Sequence, residues 1–135
     1  MTEEIGLVVR SYIEEAAPNL VRVVCKAHVR TFLGGDGDVR RQLCEVLDCA
    51  AVDAVNFDCG VDMWLDDAAM YTKPVNYAAT YLAKAHGLWQ PESFHGTTVF
   101  LGRGSSGESI GLTDKQLADL RHQIDRSLTD GPPEP

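Results

Sequence analysis

Four cysteines, four histidines and a block of carboxylates are the residues of this chain that could do chemistry. Cys25, Cys44, Cys49 and Cys59 lack the close paired spacing of a zinc ribbon or of a redox Cys-x-x-Cys. Cys25 and His28 do have a Cys-x-x-His spacing, and Cys44 with Cys49 would complete four ligands. No compact second pair supports that set, and each thiol has apolar neighbours. Reduced, mostly buried cysteines are therefore expected, with no metal, no disulfide and no cofactor. His28, His86, His95 and His122 are scattered, and no serine or cysteine sits in a recognisable nucleophile turn, so no catalytic residue is assigned. A cysteine–histidine enzyme assembled by the fold stays open. Gly102-x-x-x-x-Gly107-Glu108-Ser109 has the spacing of a phosphate-binding P-loop, with Glu where Lys is required. A carboxylate there repels the phosphates the loop would hold, which leaves a hairpin loop and excludes nucleotide hydrolysis.

The carboxylates are concentrated. Between Gln42 and Thr72 stand Glu45, Asp48, Asp53, Asp58, Asp62, Asp66 and Asp67, with no Lys or Arg, and the chain as a whole carries a net charge of −8. Such a block repels nucleic-acid phosphates, so nucleic acid is not an expected partner, and it favours a basic protein surface. Two strand-like runs, 52–58 and 61–66, flank a turn at Gly60. Their alternation puts Val55, Phe57, Met63 and Leu65 on one face, and Asn56, Asp58, Asp62, Trp64 and Asp66 on the other. Trp64 then has two readings: an exposed anchor in an acidic patch, or a core residue beneath the N-terminal helix. Asn76 and Thr80 share a helical face at i and i+4. Asn76 either ties the Asp66-Asp67 turn to the helix start or lines a small polar pocket. The candidate binding residues are Asp58, Asp62, Trp64, Asp66, Asp67 and Asn76.

The elements that must position these residues follow from periodicity. Ile5, Val9, Tyr12, Ile13 and Ala16 share one helical face over 3–16, ended by Pro18; the rival reading takes Ile5, Leu7 and Val9 as a short strand. Asn19 to Cys25 is a β-branched strand that runs on toward Phe32. Gly34-Gly35-Asp36-Gly37-Asp38 makes a turn, with Asp38 as N-cap of a helix over 39–48. Pro74 opens a second helix to Ala85, with Val75, Ala78, Ala79 and Leu82 inward and Gly87 ending it. Thr97 to Arg103 reads as a strand, a short strand follows near Ile110, and Thr113-x-x-Gln116 is a capping box for a last helix striped by Leu117, Leu120, Ile124 and Leu128. The expected fold is α+β: a single mixed, largely antiparallel sheet of about four or five strands, with the helices at 39–48 and 74–85 packed on one face. One globular domain over 1–130 includes an N-terminal helical extension (1–18), and 131–135 is a disordered tail.

At 135 residues, 44% apolar and 24% charged, the chain can bury a core without staples. No apolar run is long enough to span a bilayer, and the acidic N-terminus lacks the features of a secretion signal. No membrane association and a cytoplasmic location are the expectations.

Several short motifs, taken in this order, look familiar. Trp64-Leu65-Asp66-Asp67 resembles an apolar strand ending in an Asp-Glu pair, and Asn76-Tyr77-Ala78-Ala79-Thr80 an Asn-x-x-Ala-Thr helix. Gly96-Thr97-Thr98-Val99-Phe100-Leu101-Gly102 resembles a Gly-bounded strand, and Gly111-Leu112-Thr113 a Leu-Thr helix start. Together, over roughly residues 19–120, they resemble the family known as domain of unknown function 3846, found in bacteriophages, plasmids and actinobacteria. The chain departs from that pattern at Asp67, where Glu is usual, and in its N-terminal extension. The resemblance implies a phage or mobile-element origin, hence the host bacterial cytoplasm, and carries no activity. The reading that results is a non-enzymatic interaction protein that engages a host or phage protein through its acidic face, with homodimerisation open. The alternative is a small-ligand binder or small enzyme with a polar pocket near Asp66, Asp67 and Asn76.

Overall fold

The computed structural model describes residues 3–34, 38–68, 72–88 and 93–130. Glu3–Ala17 forms strand β1 and Leu20–Leu33 forms β2. The two pair antiparallel from Glu3↔Leu33 to Ala17↔Leu20, with a register shift between Glu15 and Ala17. Asn19 closes the hairpin at φ 65°, a left-handed conformation that asparagine tolerates. The helix expected over 3–16, and with it the helical extension, is therefore a strand. Leu7, Val8 and Val9 are all fully buried, because the strand is covered on both faces. A strand buried on both faces loses the alternation that distinguishes it from a helix, and the remaining apolar residues happened to fit a helical stripe.

Helix α1 (Asp38–Leu47), β3 (Val52–Asn56), β4 (Val61–Asp66), α2 (Tyr77–Ala85), β5 (Thr98–Arg103), β6 (Ser109–Ile110) and α3 (Asp114–Asp130) follow. The strands form one antiparallel sheet in the order β2-β1-β5-β4-β3, with β6 paired to β5, an α+β fold as expected. The β3–β4 hairpin has the expected register, Val52↔Asp66 through Asn56↔Asp62, and Gly60 takes φ 75° in its turn. Glu108 closes the 104–107 loop by accepting a hydrogen bond from Ser106 N (3.0 Å), in a β5–β6 hairpin. The capping box is formed: Gln116 N donates to Thr113 Oγ1 (3.1 Å) and Thr113 N donates to Gln116 Oε1 (2.9 Å). Helix α2 starts at Tyr77 and not at Pro74, because Asn76 is its N-cap and Val75 bridges His95.

The helices divide between the two faces of the sheet. Leu7, Val9, Met63 and Phe100 pack with Ala78, Ala79 and Leu82 of α2 and Leu120 and Ile124 of α3. Val8, Val99, Leu101 and Phe32 pack with Leu43, Val46 and Leu47 of α1. This corrects the expectation that the helices at 39–48 and 74–85 share a face. The cue was in β5, whose residues Thr98 to Gly102 are all buried, and such a strand needs cover on both sides. The Asp38 cap, the Leu128 side chain and the tail at 131–135 lie outside the described residues. Among the described residues no helix is long and apolar enough to cross a membrane.

Candidate functional site

Folding brings cations onto the acidic hairpin from outside the acidic block. Asp62 is 5% exposed, ion-paired with Arg103, and accepts a hydrogen bond from Asn56 Nδ2 (2.8 Å). Arg103 also donates to Phe57 O (3.0 Å), which fixes the guanidinium under the turn. Asp66 pairs with Lys73 Nζ (3.1 Å), and the same ammonium donates to Leu47 O (2.7 Å) and Asp48 O (3.3 Å) at the end of α1. A cation there also meets the negative end of the helix dipole. Between the two carboxylates, Trp64 is partly buried against the α1 core, and its indole Nε1 is buried with no hydrogen-bond partner among the described residues. The cover over Trp64 is thus α1, not an N-terminal helix. Asp58 and Asp67 remain exposed.

Asn76 is fully buried. Its Nδ2 donates to Val9 O (3.0 Å) and Gly96 O (2.8 Å), and its Oδ1 accepts from Ala79 N (3.0 Å) and from the Cys25 thiol (3.6 Å). Thr80 Oγ1 donates to Asn76 O (2.9 Å) and accepts from Phe94 N (3.0 Å). One amide therefore ties β1, β2, α2 and the 94–96 segment together, and it has no donor or acceptor left for a ligand. The tie to the Asp66-Asp67 turn is replaced by these bonds. Cys25 lies on the Asn76 side of β2, whereas His28 stands opposite Val8 and projects to the other face, so the Cys25–His28 spacing cannot gather a metal.

Two features were not legible from linear spacing. The first is a cavity of about 160 Å³ between the β3–β4 turn and the helices α2 and α3, lined by Cys59, His86, Gln116, Asp119, His122 and Gln123. Partial desolvation of the otherwise exposed Cys59 thiol pushes it up from its ordinary pKa, and burial together with Asp66 and Cys44 pushes Cys49, at the end of α1, up to about 11.

The second is a ribbon. Only Leu7, Val8 and Val9 of β1 pair with β5, so from Arg10 onward β1 and β2 pair with each other alone, and β2 is the outer strand of the sheet. One ribbon face presents Ile13 (61% exposed) and Val21 (64%), with Leu20 (57%) at the tip. The other presents Arg10, Tyr12, Glu14, Arg22 and Lys26. Lys26 sits 5.8 Å over the Tyr12 ring, and its hydrogen bond with Tyr12 raises the ammonium pKa. His28 is shifted down, first by burial and then by Arg10 and Arg30 beside it. A helical reading of 3–16 hides the alternation that reveals this face.

A family model described as a domain of unknown function (DUF3846) matches residues 8–125. The match begins within β1, so residues 8–18 of the expected extension fall inside the family's domain. No curated protein and no solved structure matches the chain. With the match running from within β1 to within α3, over most of the chain, the chain belongs to the domain of unknown function 3846 family.

Proposed function

We propose that this protein is a non-enzymatic interaction protein and that it docks another protein on the β1–β2 ribbon. The observation that carries the reading is the exposure of Ile13, Leu20 and Val21 on a two-stranded ribbon that no third strand among the described residues supports. Such a ribbon gains from a partner that covers its apolar face, and the open edge of β2 offers backbone groups for strand addition. Charge supports it as well. Residues 10–30 hold Arg10, Arg22, Lys26 and Arg30 against Glu14 and Glu15, whereas the whole chain is at −8. The exposed carboxylates Glu45, Asp48, Asp53, Asp58 and Asp67 lie away from the ribbon, on α1, β3 and the turns around β4. Opposite charge at two ends steers association and orients it.

A protein of the host or of the same phage, in the bacterial cytoplasm, is the partner this reading favours, and a second copy of the chain, which carries both charge signs, is the first to test. Light scattering and affinity capture should be run on the wild type and on Ile13→Glu/Val21→Glu. Both positions are exposed, so the variant keeps the wild-type unfolding midpoint and loses self-association or capture. Wild-type association by a folded variant would exclude the ribbon.

A further inference from the structure

The β3–β4 turn and the end of α2 bring together three side chains of the kinds that bind zinc. Asp58, Cys59 and His86 each offer one ligand atom, and these atoms all lie within 4.8 Å of one another. Asp58 and Cys59 are held by the turn, whose carbonyls at Cys59 (3.0 Å) and Gly60 (3.4 Å) accept from Gln116 Nε2 of α3. His86 is the C-cap of α2, and its ring packs on Phe57 with centroids 4.9 Å apart. Its Nε2 meets Gln123 Oε1 at 2.9 Å and its Nδ1 meets Asp58 Oδ1 at 3.1 Å. Both ring nitrogens thus face oxygen acceptors. When the Nε2 proton is donated to Gln123, Nδ1 turns its lone pair to the Asp58 carboxylate 3.1 Å away, and either a second proton or a cation between them satisfies the pair. An outer partner that fixes the tautomer and the ring plane is the usual companion of a metal-binding histidine.

We propose that Asp58, Cys59 and His86 bind a divalent cation of the zinc class, with Gln123 as the group that orients His86. Ligand atoms around a tetrahedral zinc stand about 3.3–3.8 Å apart for bonds of about 2.0–2.3 Å. The observed cluster reaches that spacing by small side-chain rotations, to which the Asp58 carboxylate, 74% exposed, is free to contribute. A thiolate, an imidazole and a carboxylate together select zinc over magnesium or calcium, which prefer oxygen alone. The fourth position opens to the cavity whose rim carries Asp119 and His122, so a side chain of α3 or water completes the set. The site is separate from the ribbon, so its fate is independent of the protein-docking reading.

The test is titration of the full chain with Co(II) alone, read by visible absorption, followed by displacement with Zn(II). The expected result is one ion per chain, with a thiolate charge-transfer band and the intense d–d bands of tetrahedral cobalt. Cys59→Ser removes the charge-transfer band, His86→Gln abolishes binding, and Gln123→Ala weakens it about tenfold. The Cys44→Ser/Cys49→Ser double variant keeps the wild-type spectrum. Cys59 is exposed, so its Ser variant folds, and circular dichroism checks each of the others. No binding below millimolar cobalt, a band that survives Cys59→Ser, or a band lost in the Cys44/Cys49 variant would each overturn the site.

Discussion

Asn76 shows how a single polar residue can organise a fold. The amide sits where β1, β2, the start of α2 and the 94–96 segment converge, and its bonds run to Val9 O, Gly96 O, Ala79 N and the Cys25 thiol, one in each part. Two substitutions separate its roles. Asn76→Ala removes the cap and both donations to the buried backbone at Val9 and Gly96, and should lower stability by about 3–5 kcal/mol. Asn76→Asp keeps a good cap but turns the two donations into contacts between oxygens, and should be at least as damaging. Urea unfolding measures both, with an unchanged m-value as the control. An Asp variant as stable as wild type would reduce Asn76 to an ordinary cap. The sequence showed that Asn76 and Thr80 share a helical face. It could not show their acceptors, because the carbonyls of Val9 and Gly96 are brought to that face only by the chain's long-range pairing. Trp64 was ambiguous for a related reason: its strand face was readable, whereas the element laid over that face was not.

At the scale of elements, the residues that end or join segments carry more than their propensities suggest. Helix α1 stops at Leu47, and Asp48 then takes a left-handed φ of 51°. Lys73, from the segment before α2, delivers one ammonium to the carbonyls of Leu47 and Asp48 and to the Asp66 carboxylate. Lys73→Met keeps the packing of the alkyl stem and removes the charge. It should cost about 1–3 kcal/mol, with Lys73 and Asp66 coupled in a double-mutant cycle with Asp66→Asn. Coupling near zero would mean that Lys73 acts on the helix end alone. Turn and cap chemistry was the part of the architecture most legible beforehand: Gly60, Gly87 and the Thr113–Gln116 box all act as their residue types require. The failure at β1 came from an interior strand whose first half is covered on both faces of the sheet. There Leu7, Val8 and Val9 are apolar without alternation, and a short run of that kind fits either period.

At the scale of the whole molecule, charge read along the chain overstated charge in space. The segment from Gln42 to Thr72 has no cation of its own, yet Lys73 and Arg103 fold back on it and neutralise Asp66 and Asp62. The exposed carboxylates left over are spread across α1, β3 and the turns, with Asp53 on the edge strand β3, where a charge discourages pairing with other chains. The seven acids therefore divide into two physical classes with different responses to substitution. Asp62→Asn leaves Arg103 with a neutral neighbour in a largely dry site and should destabilise the fold by about 2–3 kcal/mol. That is less than for a fully buried pair, because Arg103 is partly exposed. Asp53→Asn and Asp67→Asn should raise the unfolding midpoint slightly by reducing self-repulsion, an effect that added salt mimics by screening. Urea titrations of the three variants at low and at raised ionic strength test the division. Raised salt should lift the wild type, lift Asp53→Asn and Asp67→Asn less, and fail to restore Asp62→Asn. Recovery of Asp62→Asn in salt, or a loss of stability in Asp53→Asn equal to it, would mean that all seven carboxylates act as one exposed field.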